Sequence, residues 1–153
     1  MSKNITQYSG DCREILPGIP DKSVNCCITS PPYFGLRNYG VDAQIGLELG
    51  PEEYIKEMVG VFHEVRRILR DDGTLWLNLG DTYGTGTRAD RRPGNKLLGE
   101  KTANAQGIGR VGGAAKQLFG IPWRVALALQ ADGWYLRQDI IWSKPNPMPE
   151  SVK

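Results

Sequence analysis

The chain has 153 residues, of which 40% are hydrophobic and 24% charged, the composition of a soluble globular protein with a single domain. Its net charge of +2 does not by itself indicate any class of partner. No apolar run is long enough to cross a bilayer, and the N-terminus lacks the apolar stretch of a signal peptide. The cysteines, which form no Cys-x-x-Cys pair, predict reduced thiols instead of a disulfide framework or a metal site; they are Cys12, Cys26 and Cys27.

The first third of the chain predicts two strands separated by a short helical turn. Ile5 to Tyr8 is a weak first strand. Asp11 is placed to cap a turn over Cys12 to Leu16. The sequence from Val24 to Thr29 predicts a short buried strand, which Pro31-Pro32 ends.

The middle of the chain predicts a long amphipathic helix and a further strand. The helix begins at Pro51, where a missing N–H costs nothing, and Asp71-Asp72-Gly73 ends it. Apolar residues recur at helical spacing on one face: Tyr54, Met58, Val61, Phe62, Val65, Ile68 and Leu69. Thr74 to Leu79 is nearly continuous in apolar character, which predicts a strand covered on both faces.

The last third predicts one more helix and one more strand. The helix begins at Pro122 and runs to about Ala131, with Gly133 as its stop. Trp134 to Ser143 is the last predicted strand, with Trp134, Leu136, Ile140 and Trp142 on one face. The alternation of strands and helices predicts an α/β fold with a mostly parallel sheet and flanking helices.

A basic, glycine-rich loop is predicted at about residues 82–116. It has a net charge of +5, which leaves −3 for the rest of the chain. Its basic residues are Arg88, Arg91, Arg92, Lys96, Lys101, Arg110 and Lys116. A long structureless segment in a compact domain is usually functional or disordered, so a phosphate-contacting loop and a solvated loop without a partner both stay open.

The most informative stretch follows the strand that ends at Thr29. Because α/β sheets place ligand sites at the carboxyl ends of parallel strands, this is the expected position of a site. The sequence Ser30-Pro31-Pro32 offers one hydroxyl and mainly carbonyl acceptors on a stiff backbone, since proline has no N–H. Tyr33 adds a flat ring with a polar tip. A base amino group, with two N–H donors and a face for stacking, matches this set.

The same residues suit transfer of a methyl group to such an amine. An exocyclic amine is a poor nucleophile because its lone pair is delocalised into the ring. Two hydrogen-bond acceptors on the amine hydrogens favour a pyramidal nitrogen, whose lone pair can attack a methyl group. Positioning and electrostatics can therefore supply much of the lowering of the activation barrier to methyl transfer. No strong general base is required. The single histidine, His63, lies on the charged side of the first long helix and is predicted to be a surface residue.

Ser30-Pro31-Pro32-Tyr33 resembles the catalytic motif (D/N/S)-P-P-(Y/F/W) of the N4-cytosine and N6-adenine DNA methyltransferases. The surrounding segments follow in the order of that family and cover essentially the whole chain; they include residues 8–16 before the motif, and 73–81 and 140–146 after it. The resemblance implies a partial Rossmann-like methyltransferase fold and S-adenosylmethionine as methyl donor. A serine at the head of the motif favours cytosine N4, whereas adenine enzymes more often carry aspartate.

The resemblance also implies roles for individual residues. Ser30 and the carbonyl of Pro31, stiffened by Pro32, would bind the target amine, and Tyr33 would stack on the flipped base. Asp11 and Thr29 would lie on the cofactor side, although Asp11 is equally explained as a plain helix cap. Trp142 would line the base pocket or belong to the core.

Double-stranded DNA is the partner that the resemblance implies, in the cytoplasm of a bacterial or phage-type host cell and without a membrane. The residues expected to contact DNA are Arg37, Arg88, Arg91, Arg92, Lys96, Lys101, Arg110 and Lys144.

The glycine-rich cofactor motif of the family, Phe-x-Gly-x-Gly after a strand, has no match in context in this chain. Residues 107–112 spell G-x-G-x-x-G, but residues 101–106 before them do not form a buried strand. Residues 84–89 follow a strand, but no apolar helix can follow them. Residues 1–153 are therefore expected to be the catalytic-motif half of a methyltransferase domain.

Three interpretations stay open at this point. The cofactor half was cut away or lies on a second chain; the chain acts alone with weak donor binding; or it is a catalytically inactive DNA-binding or protein-interaction module. A sheet without its other half exposes strand edges and apolar faces. We therefore expect the isolated chain to self-associate or to be marginally stable.

Overall fold

A computed structural model describes residues 5–84, 114 and 116–146. In chain order its regular elements are helix α1 (Cys12–Ile15), a 3-10 turn (Leu16–Gly18), strand β1 (Val24–Thr29), helix α2 (Pro51–Ile68), strand β2 (Leu69–Leu77) and helix α3 (Ile121–Ala131). The architecture is α/β, and β1 and β2 pair in parallel, as the sequence predicts. None of the described helices is long and apolar enough to span a membrane.

The core forms between the two long helices and one face of the strand pair. The buried side chains of α2 are Tyr54, Met58, Phe62, Val65 and Ile68, which confirms the predicted apolar face. Four of them, all but Ile68, belong to one core cluster with Ile121, Val125 and Leu129 of α3. Helix α3 ends as predicted, since Gly133 has φ of +97° and its N–H donates to the Gln130 carbonyl at 3.1 Å.

The predicted end of the first long helix is wrong. The helix ends at Ile68, because Leu69 already pairs with Val24 across the sheet. The next pairing is Cys26 with Thr74, so the residues between Leu69 and Thr74 form an irregularity in β2. A Cβ atom on Gly73 would lie 2.9 Å from the Arg70 carbonyl oxygen, so glycine is required in this tight segment.

The two predicted terminal strands are also wrong. Residues 5–9 and 134–144 have no regular secondary structure, and residues 5–10 and 135–146 are exposed. A parallel strand exists only where a neighbour completes its hydrogen-bond ladder, and the described strands pair only with each other. Trp142 is 76% exposed, so its predicted core role is wrong in the same way.

Within the described residues the strand pair is covered on one face only, in contrast to the predicted strands with cover on both faces. Cys27, Leu75 and Leu77 face the core. On the opposite face Ile28 is 80% exposed and Trp76 is 52% exposed, and these two residues lie directly opposite each other in the register. The described part of the chain therefore presents an apolar sheet face without a covering layer.

Candidate active site

The Ser30-Pro31-Pro32-Tyr33 motif leaves the sheet at the carboxyl end of β1, as the sequence predicts. The last ladder contact joins the Asn78 N–H to the carbonyl of Thr29 at 3.0 Å. Beyond it the chain from β1 enters the motif, and the chain from β2 enters Gly80-Asp81-Thr82. Both segments therefore follow the same edge of the parallel pair, where α/β folds place their sites.

The hydroxyl and the ring predicted to hold a base are neighbours. Ser30 Oγ lies 3.1 Å from the phenol oxygen of Tyr33, within hydrogen-bonding distance. Ser30 is exposed, and Pro31, Pro32 and Tyr33 are half-buried. A hydroxyl has two lone pairs and one proton, so Ser30 can accept a hydrogen bond from a ligand while it contacts Tyr33.

The backbone of Gly80 packs directly against the Tyr33 ring. A Cβ atom at this position would lie 2.7 Å from Cδ2 and 2.8 Å from Cε2 of that ring. These distances are too short for any side chain, so the ring contacts the backbone of Gly80. From the sequence, Gly80 was identified only as part of the segment 73–81 that resembles the family. Its contact with Tyr33 spans 47 positions of the chain.

The loop after the motif folds back against it. The Gly35 N–H donates to the Gly46 carbonyl at 2.8 Å. Gly46 has φ of +99°, and a Cβ atom there would lie 2.9 Å from the Tyr33 carbonyl oxygen. Within the loop, the Gln44 side chain accepts from the Tyr39 N–H at 2.6 Å and donates to the Arg37 carbonyl at 2.7 Å. The backbone of Arg37 is therefore held while its side chain is exposed.

Tyr54 anchors the motif from the core. Its side chain is fully buried in α2, and its hydroxyl donates to the Pro32 carbonyl at 2.9 Å. The Phe34 ring lies against it, with ring centroids 5.5 Å apart. Burial raises the pKa of the Tyr54 phenol, and the Glu48 carboxylate raises it further. The core position of Tyr54 was predicted from the sequence, but its hydrogen bond to the motif was not. A buried phenol usually has a hydrogen-bond partner, which is the signal that could have indicated this contact.

Asp81 connects the edge of the sheet to helix α3. Its Oδ1 accepts from the Thr82 N–H at 2.9 Å and from the Ile121 N–H at 3.0 Å. Ile121 is the first residue of α3, so a carboxylate here satisfies an unpaired N–H at the positive end of that helix. The contact fixes the segment that contains Gly80 against the core.

Asp11, predicted to lie on the cofactor side, is the N-cap of α1, which confirms the capping prediction. Its Oδ1 accepts from the Arg13 backbone N–H at 2.8 Å, and its Oδ2 accepts from the Arg13 guanidinium at 2.6 Å. That guanidinium also donates to the Ala43 carbonyl at 2.8 Å, which ties α1 to the loop after the motif. Both carboxylate oxygens are thus engaged, and a cofactor role for Asp11 stays a prediction that requires release from Arg13.

The contact with Arg13 gives Asp11 a testable acid response. Hydrogen bonds from Arg13 lower the pKa of Asp11 from 3.8 to about 2. Because the pKa of Asp11 is lower in the folded state than in the unfolded state, the Asp11–Arg13 contact stabilises the fold. This stabilisation is fully present above about pH 4 and is lost as the pH falls towards 2. We expect Arg13→Gln to raise the Asp11 pKa towards 3.8, measured by NMR titration of the carboxyl carbon. Arg70→Gln, which removes an exposed arginine elsewhere, is the control, and an unchanged Asp11 pKa in Arg13→Gln would contradict the assignment.

The predicted DNA-contacting residues are described only in part. Arg37 and Lys144 are exposed. The other six lie outside the described residues: Arg88, Arg91, Arg92, Lys96, Lys101 and Arg110. The G-x-G-x-x-G stretch at 107–112 also lies outside them. His63 is exposed, with Nδ1 3.2 Å from the Asp132 carboxylate, so its predicted surface position is confirmed.

Comparison with known proteins supports the family resemblance. A family model described as DNA methylase, of the N6/N4 type, matches residues 24–153. The chain belongs to the N6/N4 DNA methylase family.

Among curated relatives, the chain is 52% identical over 148 residues to the type II methyltransferase M.XycI of Xanthomonas campestris pv. cyanopsidis. It is 51% identical over 152 residues to M.Cfr9I of Citrobacter freundii. It is also 51% identical over 148 residues to M.SmaI of Serratia marcescens. These matches cover 97%, 97% and 94% of this chain but 49% of each relative. The chain spans about half the length of these relatives.

Proposed function

We propose that this chain holds the amine-binding site of a site-specific DNA methyltransferase, which transfers a methyl group from S-adenosylmethionine to N4 of cytosine or N6 of adenine. The observation that carries the proposal is the pairing of the Ser30 hydroxyl with the Tyr33 phenol, whose oxygens lie 3.1 Å apart just beyond the carboxyl end of β1. The serine at the head of the motif favours cytosine.

In the proposed mechanism, Ser30 and Pro31 act as acceptors for the two N–H groups of the base amine. No described residue donates a hydrogen bond to the Pro31 carbonyl, which supports this use of its oxygen. With both hydrogens held, the nitrogen keeps its lone pair directed at the methyl carbon. The methyl donor, when bound, supplies an electrophilic methyl on a sulfonium centre. As the N–C bond forms, the methyl–sulfur bond breaks with its electron pair on sulfur, and one amine proton leaves to water.

The Tyr33 ring is proposed to stack on the base after it leaves the duplex, a contact that contributes about 1–3 kcal/mol per base. Arg37 and Lys144 are exposed and are proposed to contact backbone phosphates together with the basic loop at about 82–116. These contacts position the duplex, and the choice of sequence depends on other groups.

The proposed partner is a polypeptide equivalent to the part of the relatives that this chain does not match. Such a partner would supply the glycine-rich cofactor motif and cover the sheet face that contains Ile28 and Trp76. The exposed apolar pair and the doubled length of the relatives both support this assignment. Either a second polypeptide or a continuation of the same chain could supply the cofactor motif and cover this sheet face.

Methyl transfer is the experiment that tests the proposed function. The chain is incubated with labelled S-adenosylmethionine and unmethylated DNA of varied sequence, alone and mixed with a polypeptide spanning the unmatched part of the Xanthomonas relative. We expect label in N4-methylcytosine or N6-methyladenine, and about a 100-fold loss of rate in Ser30→Ala because one acceptor at the reacting amine is removed. Ser23→Ala is the matched control, since Ser23 is an exposed serine beyond the opposite end of β1.

The outcomes separate the proposed enzyme from its alternative. The identity of the methylated nucleoside decides between cytosine and adenine. Loss of rate in Ser30→Ala, with Ser23→Ala unchanged, supports the assigned amine site. An equal rate in both variants would remove Ser30 from the mechanism. No label under any condition, with DNA still bound in a gel-shift assay, would favour a catalytically inactive DNA-binding module.

A further inference from the structure

We propose that Tyr54 is a positioning residue for the reaction, which holds the Pro32 carbonyl so that the Ser30 hydroxyl and the Pro31 carbonyl keep the spacing that an amine requires. The inference rests on the proposed function. It assigns a role to a side chain of helix α2 that lies outside the motif itself.

The chemistry of the motif explains why such an anchor is needed. Pro31 and Pro32 have no N–H, so neither can donate a backbone hydrogen bond to the rest of the protein. Within these two residues, the carbonyl oxygens are the polar groups through which hydrogen bonds can hold the backbone. If Pro31 is to accept from the base amine, its oxygen has to stay available, which leaves the Pro32 oxygen as the anchoring point.

Tyr54 supplies the matching donor from a rigid support. Its hydroxyl lies 2.9 Å from the Pro32 oxygen, and its side chain is 0% exposed. The ring is held by Phe34, which in turn contacts Phe119 with centroids 5.8 Å apart. Burial keeps the phenol protonated, so it acts as a donor throughout the physiological pH range.

Fixing the Pro32 peptide group also restricts the residues before it. Ser30 and Pro31 each precede a proline, and such residues are confined to extended backbone conformations. With few conformations left, the orientation of the Pro31 carbonyl depends on where the Pro32 carbonyl is held. The 18-residue helix α2 thus sets the direction of the Pro31 carbonyl through the hydrogen bond from Tyr54 to Pro32.

The first test measures the motif in the isolated chain by NMR. The Tyr33 amide shares a peptide group with the Pro32 carbonyl, so its resonance reports the hydrogen bond from Tyr54. We expect Tyr54→Phe to shift the Tyr33 amide while the rest of α2 keeps its spectrum. Phe62→Leu, which alters a buried ring of the same helix without a polar contact, is the control. An unmoved Tyr33 amide in Tyr54→Phe would overturn the proposal.

The second test separates positioning from folding. In the methyl-transfer assay we expect Tyr54→Phe to lower kcat by about 10- to 100-fold, because small displacements of reacting groups cost rates of this order. The KM for DNA should stay within about twofold, since no DNA-contacting group is removed. A loss equal to that of Phe62→Leu, or an unchanged kcat, would overturn the positioning role. If the parent protein transfers no methyl group, the proposed function fails, and the Tyr33 amide still decides whether Tyr54 fixes the motif.

Discussion

Gly80→Ala is expected to lower methyl transfer by about 100-fold, although Gly80 is not proposed to contact either substrate. A Cβ atom here would lie 2.7 Å from the Tyr33 ring, closer than carbon atoms approach without displacement. The backbone cannot move away easily, because Asp81 holds the next segment to the Ile121 N–H at 3.0 Å. The Tyr33 ring therefore has to move, and the surface on which the base is proposed to stack moves with it.

The control variant is Gly60→Ala in helix α2, which makes the same glycine-to-alanine change but is not expected to lower the rate of methyl transfer. Apart from its chain neighbours and the backbone of its own helix, no atom of the described residues lies within 4 Å of a Cβ built on Gly60. Alanine there should stabilise the helix by about 0.5–1 kcal/mol and leave the rate unchanged. The Tyr33 ring resonances in the isolated chain provide a readout without activity. If Gly80→Ala shifts neither the ring resonances nor the rate, the proposed support of Tyr33 by Gly80 is wrong.

The elements predicted correctly are those that local sequence determines. Strand β1 occupies the predicted residues Val24–Thr29, because β-branched and apolar residues are followed, one residue later, by two prolines. Helix α2 begins at Pro51 as predicted, and helix α3 begins one residue before the predicted Pro122. Since the motif comes directly after β1, its place at the edge of the sheet followed from the sequence as well.

The elements predicted wrongly depend on residues far away in the chain. Helix α2 stops at Ile68 because Leu69 pairs with Val24, and no local signal marks that residue. Residues 5–8 and 134–143 have strand-like composition, but a strand needs a neighbour as well as a propensity. The contacts of Tyr54 with Pro32 and of Gly80 with Tyr33 were missed for the same reason, since residue type alone does not specify a long-range partner.

Substituting Ile28 with aspartate is expected to have opposite effects on the isolated chain and on the assembled domain. Ile28 and Trp76 form an exposed apolar pair on the uncovered sheet face. In the isolated chain this pair is a surface for association between copies. A carboxylate at position 28 would be solvated there, so sedimentation velocity should show less self-association in Ile28→Asp than in the parent chain.

The assembled domain should respond in the other direction. If the proposed partner polypeptide covers this face, aspartate at position 28 becomes an unpaired buried charge, which costs about 3–5 kcal/mol. That cost corresponds to a loss of at least about 100-fold in the association constant with the partner polypeptide, measurable by titration calorimetry.

Leu49→Asp is the matched control for this substitution. It introduces the same charge at a leucine that is 91% exposed and lies outside the sheet. It should leave both self-association and partner binding unchanged. Equal partner binding by the parent chain and Ile28→Asp would show that the partner does not cover this face. If Ile28→Asp reduces self-association without weakening partner binding, the face serves self-association only. If Ile28→Asp reduces self-association and also weakens partner binding, one apolar surface is exposed in the isolated chain and buried in the assembled domain.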